Sequence, residues 1–425
     1  MSKDKDKKKK LTLEEKISTY KARKPSKLLA AVYNPYFKRK IWKKSNAQVT
    51  HHFDYKTLKA PFLVMSNHPS FVDHFFAAIS LRPKHNLTYI VNRYFFHNRG
   101  LSFLLKRIGS IPKKIHQSDI GAMKKMMGVI KQGRSIYVAP EGVQSMNGQS
   151  MGIIPSVTKL IKLLKVPVVT VKIDGSFLTR ARWRFDKKPY KGRVDINVKL
   201  LLTQEDIKNK SEDELFLALD QELAYNDFEW ALKNEIEFGA GKDKALNVDY
   251  GIYLCPRCKQ EFRIEAKDDV VRCLDCGNGA RLDKYYQNVA LSEDCIVPKD
   301  LGEWYNLQRA QLKEQYEREE LLIEDVAELK MFNKSGYKEI IVGKGNIRLD
   351  GDGFKYSAIS GEDINLDIAL DNLPNLAITP NQRFYLYHED IYYSFVPSNT
   401  KSVVKWSAAV EQMLLAHPTK KGIRE

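Results

Sequence analysis

The chain has 425 residues, and a hydrophobic fraction of 43% is enough for packed cores, so wholesale disorder is excluded. Five cysteines are too few for a disulfide scaffold, and no apolar run reaches the roughly 18 residues of a spanning helix. The net charge of +18 is uneven: residues 1–200 hold 42 Lys and Arg against 11 Asp and Glu, while residues 201–425 hold 28 against 41. The first half is therefore expected to face something anionic, such as a membrane, a phosphorylated substrate or nucleic acid.

At roughly 100–200 residues per domain, two to four domains are expected. Residues 1–10 read as a solvated basic tail, not a secretory signal, because no apolar core follows the lysines. Residues 1–45 form a basic N-terminal segment with one or two amphipathic helices. Leu28, Leu29, Val32, Tyr33, Tyr36, Phe37, Ile41 and Trp42 are set among lysines and arginines there, a composition that suits either a membrane interface or a surface helix packed on the main domain with its charges solvated. From 46 to 238, short apolar runs alternate with helical patterns. Strands are expected near 61–65, 87–91, 135–139, 166–173 and 194–202. Helices are expected near 71–81, 120–131, 157–164 and, as one long element, 211–233. Such alternation predicts an α/β domain, a mixed sheet flanked by helices.

A polar stretch near 239–247 marks a boundary. Residues 250–290 carry two cysteine pairs, and 303–332 read as a charged helical connector. From 337 to 417, short strands with Gly, Asn, Asp and Pro turns precede one last helix, which predicts a small β-barrel capped by a helix.

Two motifs carry chemistry. Ser66-Asn67-His68-Pro69-Ser70-Phe71-Val72-Asp73 lies where a strand enters a helix. With this spacing Asp73 can turn back to His68, fix its tautomer and stabilise the imidazolium formed on proton abstraction. That makes a general base, which needs no serine nucleophile when the substrate brings its own hydroxyl. Val138-Ala139-Pro140-Glu141-Gly142-Val143-Gln144-Ser145 ends a second strand. In a parallel sheet Glu141 emerges at the same edge as His68.

In this order, the two motifs resemble the glycerolipid acyltransferase family that includes bacterial 1-acyl-sn-glycerol-3-phosphate acyltransferases. Two further blocks extend the resemblance over residues 61–176: Ile108-Gly109-Ser110-Ile111-Pro112-Lys113-Lys114, and Val166-Pro167-Val168 leading to Asp174-Gly175-Ser176. The resemblance implies that His68, oriented by Asp73, deprotonates the acceptor hydroxyl. The alkoxide then attacks an acyl thioester on coenzyme A or acyl carrier protein, with no acyl-enzyme. It also implies acceptor contacts from Asn67, Glu141, Gly142 and Ser145, and phosphate contacts from Lys113 or Lys114. Two departures stand out: Val143-Gln144 replaces the usual Thr-Arg, and Lys113-Lys114 replaces an arginine fork by point charges.

Cys255-Pro-Arg-Cys258 and Cys273-Leu-Asp-Cys276 are separated by fourteen residues. This spacing predicts one tetrahedral, structural zinc ion held by four thiolates in a small ribbon, in a reducing cytoplasm. Cys295 is left over. The C-terminal pattern is similar to the pleckstrin-homology or GRAM-like class, which implies membrane or headgroup binding; a scaffold or protein-contact role fits this acidic region equally well.

The expected protein is thus an O-acyltransferase acting on a lysophospholipid, peripheral on the inner face of an anionic membrane, with no nucleic-acid partner. Two other classes compete. One is a zinc-ribbon nucleic-acid-binding protein, disfavoured because it has no need of His68, Asp73 and Glu141 in this order. The other is a lipid-binding scaffold on the acyltransferase fold, disfavoured by the intact His/Asp pair.

Overall fold

The computed structural model describes residues 11–26, 38–81, 86–185, 190–239 and 243–417. The first sheet has seven strands: β1 (Ala47–His51), β2 (Leu63–Ser66), β3 (Leu87–Asn92), β4 (Ile111–Lys113), β5 (Ser135–Val138), β6 (Val168–Asp174) and β7 (Val194–Leu202). Their spatial order is β1-β7-β6-β2-β5-β3-β4. Strands β2 to β6 run parallel, β7 opposes β6, and β1 follows β7.

Both faces of this sheet are covered, which is why its central strands read as near-continuous apolar runs. Strand side chains alternate between faces. Leu63 and Met65 pack with the helices Ile120–Lys131, Ser156–Leu164 and Glu212–Leu223. Phe62 and Val64 pack on the other side with Phe76 and Ala77 of the helix Asp73–Ser80. The expected single helix over 211–233 is two, Glu212–Leu223 and Asp227–Lys233. Between them Asn226 bridges to Gln149 and caps the second helix, accepting from the N–H groups of Phe228 and Glu229.

Near the N-terminus, the helix Leu13–Ser18 starts at a capping box between Thr12 and Glu15 and buries Leu13 and Ile17 against Phe96 and Leu105. Of the residues expected to enter a membrane, Leu28, Leu29, Val32, Tyr33, Tyr36 and Phe37 lie outside the described residues, as does the tail 1–10. Ile41 and Trp42 are described, and they pack on the main domain rather than standing free for a membrane. Both face the catalytic core, with the Trp42 ring edge-on to Phe76 at 6.1 Å.

Four short antiparallel strands, β8 (Ile264–Lys267), β9 (Val270–Cys273), β10 (Gly279–Leu282) and β11 (Asn288–Ala290), make the cysteine-bearing ribbon. The connector expected over 303–332 is helical only over Leu301–Glu317. Trp304, Tyr305, Gln308 and Leu312 are buried on that helix, so it is a core element. Residues Ile323–Phe332 form β12, the first strand of a third sheet. That sheet continues with β13 (Glu339–Asp350), β14 (Gly353–Gly361), β15 (Leu366–Ala369), β16 (Ala377–Thr379), β17 (Arg383–His388) and β18 (Ile391–Pro397). Its order is β15-β14-β13-β12-β18-β17-β16, a curled antiparallel sheet with unpaired ends rather than a closed barrel. The helix Val403–Ala416 fills its interior with Trp406, which stacks on Phe384 at 5.4 Å.

One apolar cluster joins these parts. It runs from Phe177, Trp183 and Phe228 through Ile264 and Val271 of the ribbon and Trp304 of the central helix to Phe354, Phe395 and Trp406. Among the described residues, no helix is long and apolar enough to cross a membrane.

Candidate active site

β2 and β5 are parallel neighbours in register, Met65 beside Val138, so the loops that follow them leave the same edge of the sheet. The first carries residues 67–72 and delivers Asp73 to the first turn of its helix. The second carries Glu141, Gly142 and Ser145. The parallel arrangement expected for His68 and Glu141 is present.

His68 Nδ1 lies 3.0 Å from Asp73 Oδ2. The imidazole is 27% exposed and the carboxylate fully buried. Facing a carboxylate, Nδ1 carries the proton, and Nε2 is then the basic atom, directed away from Asp73. Asp73 is itself held on all sides. Oδ2 also accepts the Ser70 N–H at 2.8 Å, and Oδ1 accepts the hydroxyls of Ser70 at 2.8 Å and Ser176 at 3.1 Å. The two serine oxygens are 2.6 Å apart. A buried carboxylate with four donors is a rigid anchor for the ring.

The residues expected to contact the acceptor are each bonded within the protein. Asn67 is wholly buried. Its Nδ2 donates to the Ile173 carbonyl at 2.7 Å and its Oδ1 accepts the Ile173 N–H at 2.8 Å, which pins the loop to β6. Glu141 is also buried; Oε1 accepts the His68 N–H at 2.7 Å and Oε2 the Met151 N–H at 3.0 Å. Burial pushes its carboxyl up to about 7, against the two backbone donors that favour the ionised form. The Ser145 N–H donates to the His68 carbonyl at 3.1 Å, and its hydroxyl donates to Asn147 Oδ1 and the Gln149 carbonyl at 2.9 Å. Asn67, Glu141 and Ser145 therefore fix the backbone around His68. Gly142 has φ +71, and a Cβ there would stand 2.6 Å from Ile154 Cδ1, so the turn needs glycine.

The two lysines sit at the end of the edge strand β4, and both are engaged by the protein. Lys113 Nζ donates to the carbonyls of Lys114 at 3.0 Å and Gln117 at 3.1 Å, and burial lowers its pKa. Lys114 Nζ pairs with Asp390 in the turn between β17 and β18. The C-terminal sheet thus docks on the edge of the catalytic sheet. Gln117 Nε2 donates to the Tyr387 carbonyl at 2.6 Å, and Asn92 Nδ2 to Tyr385 Oη at 3.0 Å.

Three supporting residues were not singled out as site residues from the sequence. Ser176 follows the Asp174-Gly175 turn, which the motif order does mark. Asp227 accepts the N–H groups of Gly175 and Phe177 at 2.8 Å and so holds Ser176 in place. Arg180 is buried, donates to Ser45 Oγ at 2.6 Å, and has its pKa lowered to about 10 by burial, with the nearby Asp73 charge acting the other way. No sequence signal marks the last two, because their partners are fifty or more residues away.

The four ribbon cysteines are brought together. Cys255, Cys258, Cys273 and Cys276 present sulfur atoms that all lie within 4.8 Å of one another.

A His/Asp pair thus stands where a strand of a mixed α/β sheet ends. Residues 43–174 match the family model described as Acyltransferase, and they contain the whole His68–Asp73–Glu141 constellation. The chain therefore carries an acyltransferase domain and is an acyltransferase. No curated protein matches it. Among solved structures it is similar to the 1-acyl-sn-glycerophosphate (LPA) acyltransferase PlsC from Thermotoga maritima, at 17% identity and a TM-score of 0.38, covering 45% of this chain and 76% of that one.

Proposed function

We propose that this protein moves a fatty acyl group from a coenzyme A or acyl carrier protein thioester to the free hydroxyl of a lysophospholipid, with 1-acyl-sn-glycerol-3-phosphate as acceptor and phosphatidic acid as product. The observation that carries the reading is the His68–Asp73 pair, with Nδ1 bound by a buried carboxylate and the ring partly exposed.

His68 Nε2 takes the proton of the acceptor hydroxyl as its oxygen attacks the thioester carbonyl carbon. The resulting imidazolium is stabilised by Asp73. When the tetrahedral intermediate collapses, the C–S bond breaks and the imidazolium returns its proton to the leaving thiolate. One ester is formed, one thioester consumed, and the enzyme is unchanged. The basic first half of the chain favours an anionic membrane surface, where the acceptor resides, on the cytoplasmic side where the donors are made. A pleckstrin-homology-like role for the C-terminal sheet would add a second contact to that surface.

The test is direct. Purified protein is supplied with labelled acyl donor on either carrier and a panel of lysolipids in vesicles, and products are identified by mass. A new ester on lysophosphatidate, absent with His68→Ala, is expected. Acylation of only non-phosphorylated acceptors would move the reading to another substrate class. Absence of ester formation on every acceptor would remove it.

A further inference from the structure

We infer that Cys255, Cys258, Cys273 and Cys276 bind one zinc ion, and that this ion braces the helix Leu301–Glu317 and, through it, the loop that supports His68. The inference is independent of the acceptor and donor of the reaction.

The sulfur geometry is that of a tetrahedral thiolate site. Zinc–sulfur bonds of about 2.3 Å place the corners of a tetrahedron about 3.8 Å apart. The Cys255–Cys276 and Cys258–Cys273 sulfur separations are 3.6 and 3.7 Å. A disulfide would need about 2.05 Å. Four sulfur donors converging within 4.8 Å of one another fit a single soft divalent cation.

The backbone repeats the same device twice. The Lys259 N–H donates to the Cys255 carbonyl at 3.0 Å, and the Gly277 N–H donates to the Cys273 carbonyl at 3.1 Å. The residue four after the first cysteine is left-handed in both turns, Lys259 at φ 62 and Gly277 at φ 71. Two equivalent turns thus present the sulfurs of both cysteine pairs to one point. Asn278 adds a donor 3.9 Å from Cys255 Sγ while its Oδ1 accepts the Ile296 N–H at 2.6 Å.

The ribbon is not an independent appendage. Leu254, next to the first ligand, offers its carbonyl to the buried Trp304 Nε1–H at 2.8 Å. Gln308 Nε2 donates to the Gly251 carbonyl at 2.7 Å, and its Oε1 accepts the Tyr253 N–H at 3.2 Å. The same helix reaches the catalytic domain through Asn306. Its Oδ1 accepts from Asn147 Nδ2 at 2.9 Å, and Asn147 accepts the Ser145 hydroxyl at 2.9 Å. Ser145 is the residue whose N–H holds the His68 carbonyl. Four thiolates fixed by a metal thus fix the segment that receives Trp304 and Gln308, and that helix fixes the wall behind the site loop.

The full chain is purified without chelator from zinc-containing medium, and its metals are measured by mass spectrometry. About one zinc per chain is expected, released in step with titration of four thiols by a mercurial. Cys276→Ser should lose the metal, while Cys295→Ser should keep it. Hydrogen exchange on the wild-type chain before and after zinc removal reads the coupling: amides of residues 252–256 and 301–308 should lose protection, more than those of β2 and β6. Substoichiometric zinc, iron in its place, or zinc retained by Cys276→Ser overturns the metal assignment. Exchange that rises only within residues 255–276 overturns the bracing role.

Discussion

Glu141 Oε1 accepts the backbone N–H of His68 at 2.7 Å, and the same carboxylate reaches the Met151 N–H at 3.0 Å with its other oxygen. One buried side chain therefore joins the loop after β2 to the segment beyond the turn after β5. His68 is held from two directions: Asp73 orients its ring and Glu141 its main chain. Replacing Glu141 by Gln keeps the shape but supplies one acceptor oxygen for two donors. One buried N–H then faces an NH₂ group, at a cost of about 1–3 kcal/mol. The expected outcome for Glu141→Gln is a lower denaturation midpoint together with a lower kcat, with little change in KM for the acceptor. A raised KM at unchanged stability would instead make Glu141 a substrate contact.

The same residue gives a pH prediction. Its carboxyl is pushed up to about 7 by burial, above the ordinary value of 4.5. Folding therefore takes up a proton between these values, so the stability it contributes is fully present at lower pH and is lost as pH rises through about 7. Urea midpoints of wild type and Glu141→Gln at about pH 5 and about pH 8 test the sign: the advantage of the wild type should shrink at the higher pH.

His68→Ala should leave a folded protein and reduce acyl transfer by about 10²–10⁴-fold, the usual loss with a general base. Asp73→Asn should also reduce kcat, because the amide no longer favours the Nδ1–H tautomer. It should destabilise the fold as well, since the amide NH₂ meets donors from Ser70 and Ser176. Circular dichroism with kcat measurement separates the two variants: activity lost with the fold intact is expected for His68→Ala.

Asn67→Ala removes both partners of the Ile173 amide, a donor and an acceptor in a fully buried position. Leaving those backbone groups unpaired should cost about 1–3 kcal/mol each at most. A lowered midpoint, with the residual activity of the folded fraction reduced in kcat, is expected in thermal denaturation and steady-state assays. Unchanged stability with a raised acceptor KM would return Asn67 to the role of a substrate contact.

The pairing of His68 with Asp73 and the gathering of the four cysteines are legible because their signals are local. His68 and Asp73 are five residues apart, and each cysteine pair spans one turn. Strand alternation also exposed the mixed sheet. What could not be read was which way polar side chains point. Asn67 and Glu141 appear in motifs beside a catalytic histidine, yet their partners are Ile173 and Met151. Choosing between substrate and backbone requires knowing which strand lies alongside. The connector failed for a related reason. Glu324, Asp325, Glu328 and Lys330 continue the charge of the preceding helix, but Ala327 and Leu329 are buried at a spacing of two, as in a strand half-covered by a sheet. Ile41 and Trp42 look like membrane anchors in isolation and become core residues once Phe76 is placed against them.

Lys114 and Asp390 give the last prediction. The carboxylate at the β17–β18 turn occupies the ammonium group expected to meet the acceptor phosphate, and Lys113 is turned toward backbone carbonyls. Asp390 is 79% exposed, so the pair contributes at most about 1 kcal/mol to stability. Asp390→Ala should therefore leave the denaturation midpoint almost unchanged while releasing Lys114. Under the proposed reading, an acceptor phosphate competes with Asp390 for this lysine. Asp390→Ala should then lower KM for lysophosphatidate, and Lys114→Ala should raise it. Added salt weakens a half-exposed pair by screening, so it should narrow the difference between wild type and Asp390→Ala. KM values unchanged in both variants would confine Lys114 to docking the C-terminal sheet and leave the phosphate to another cation.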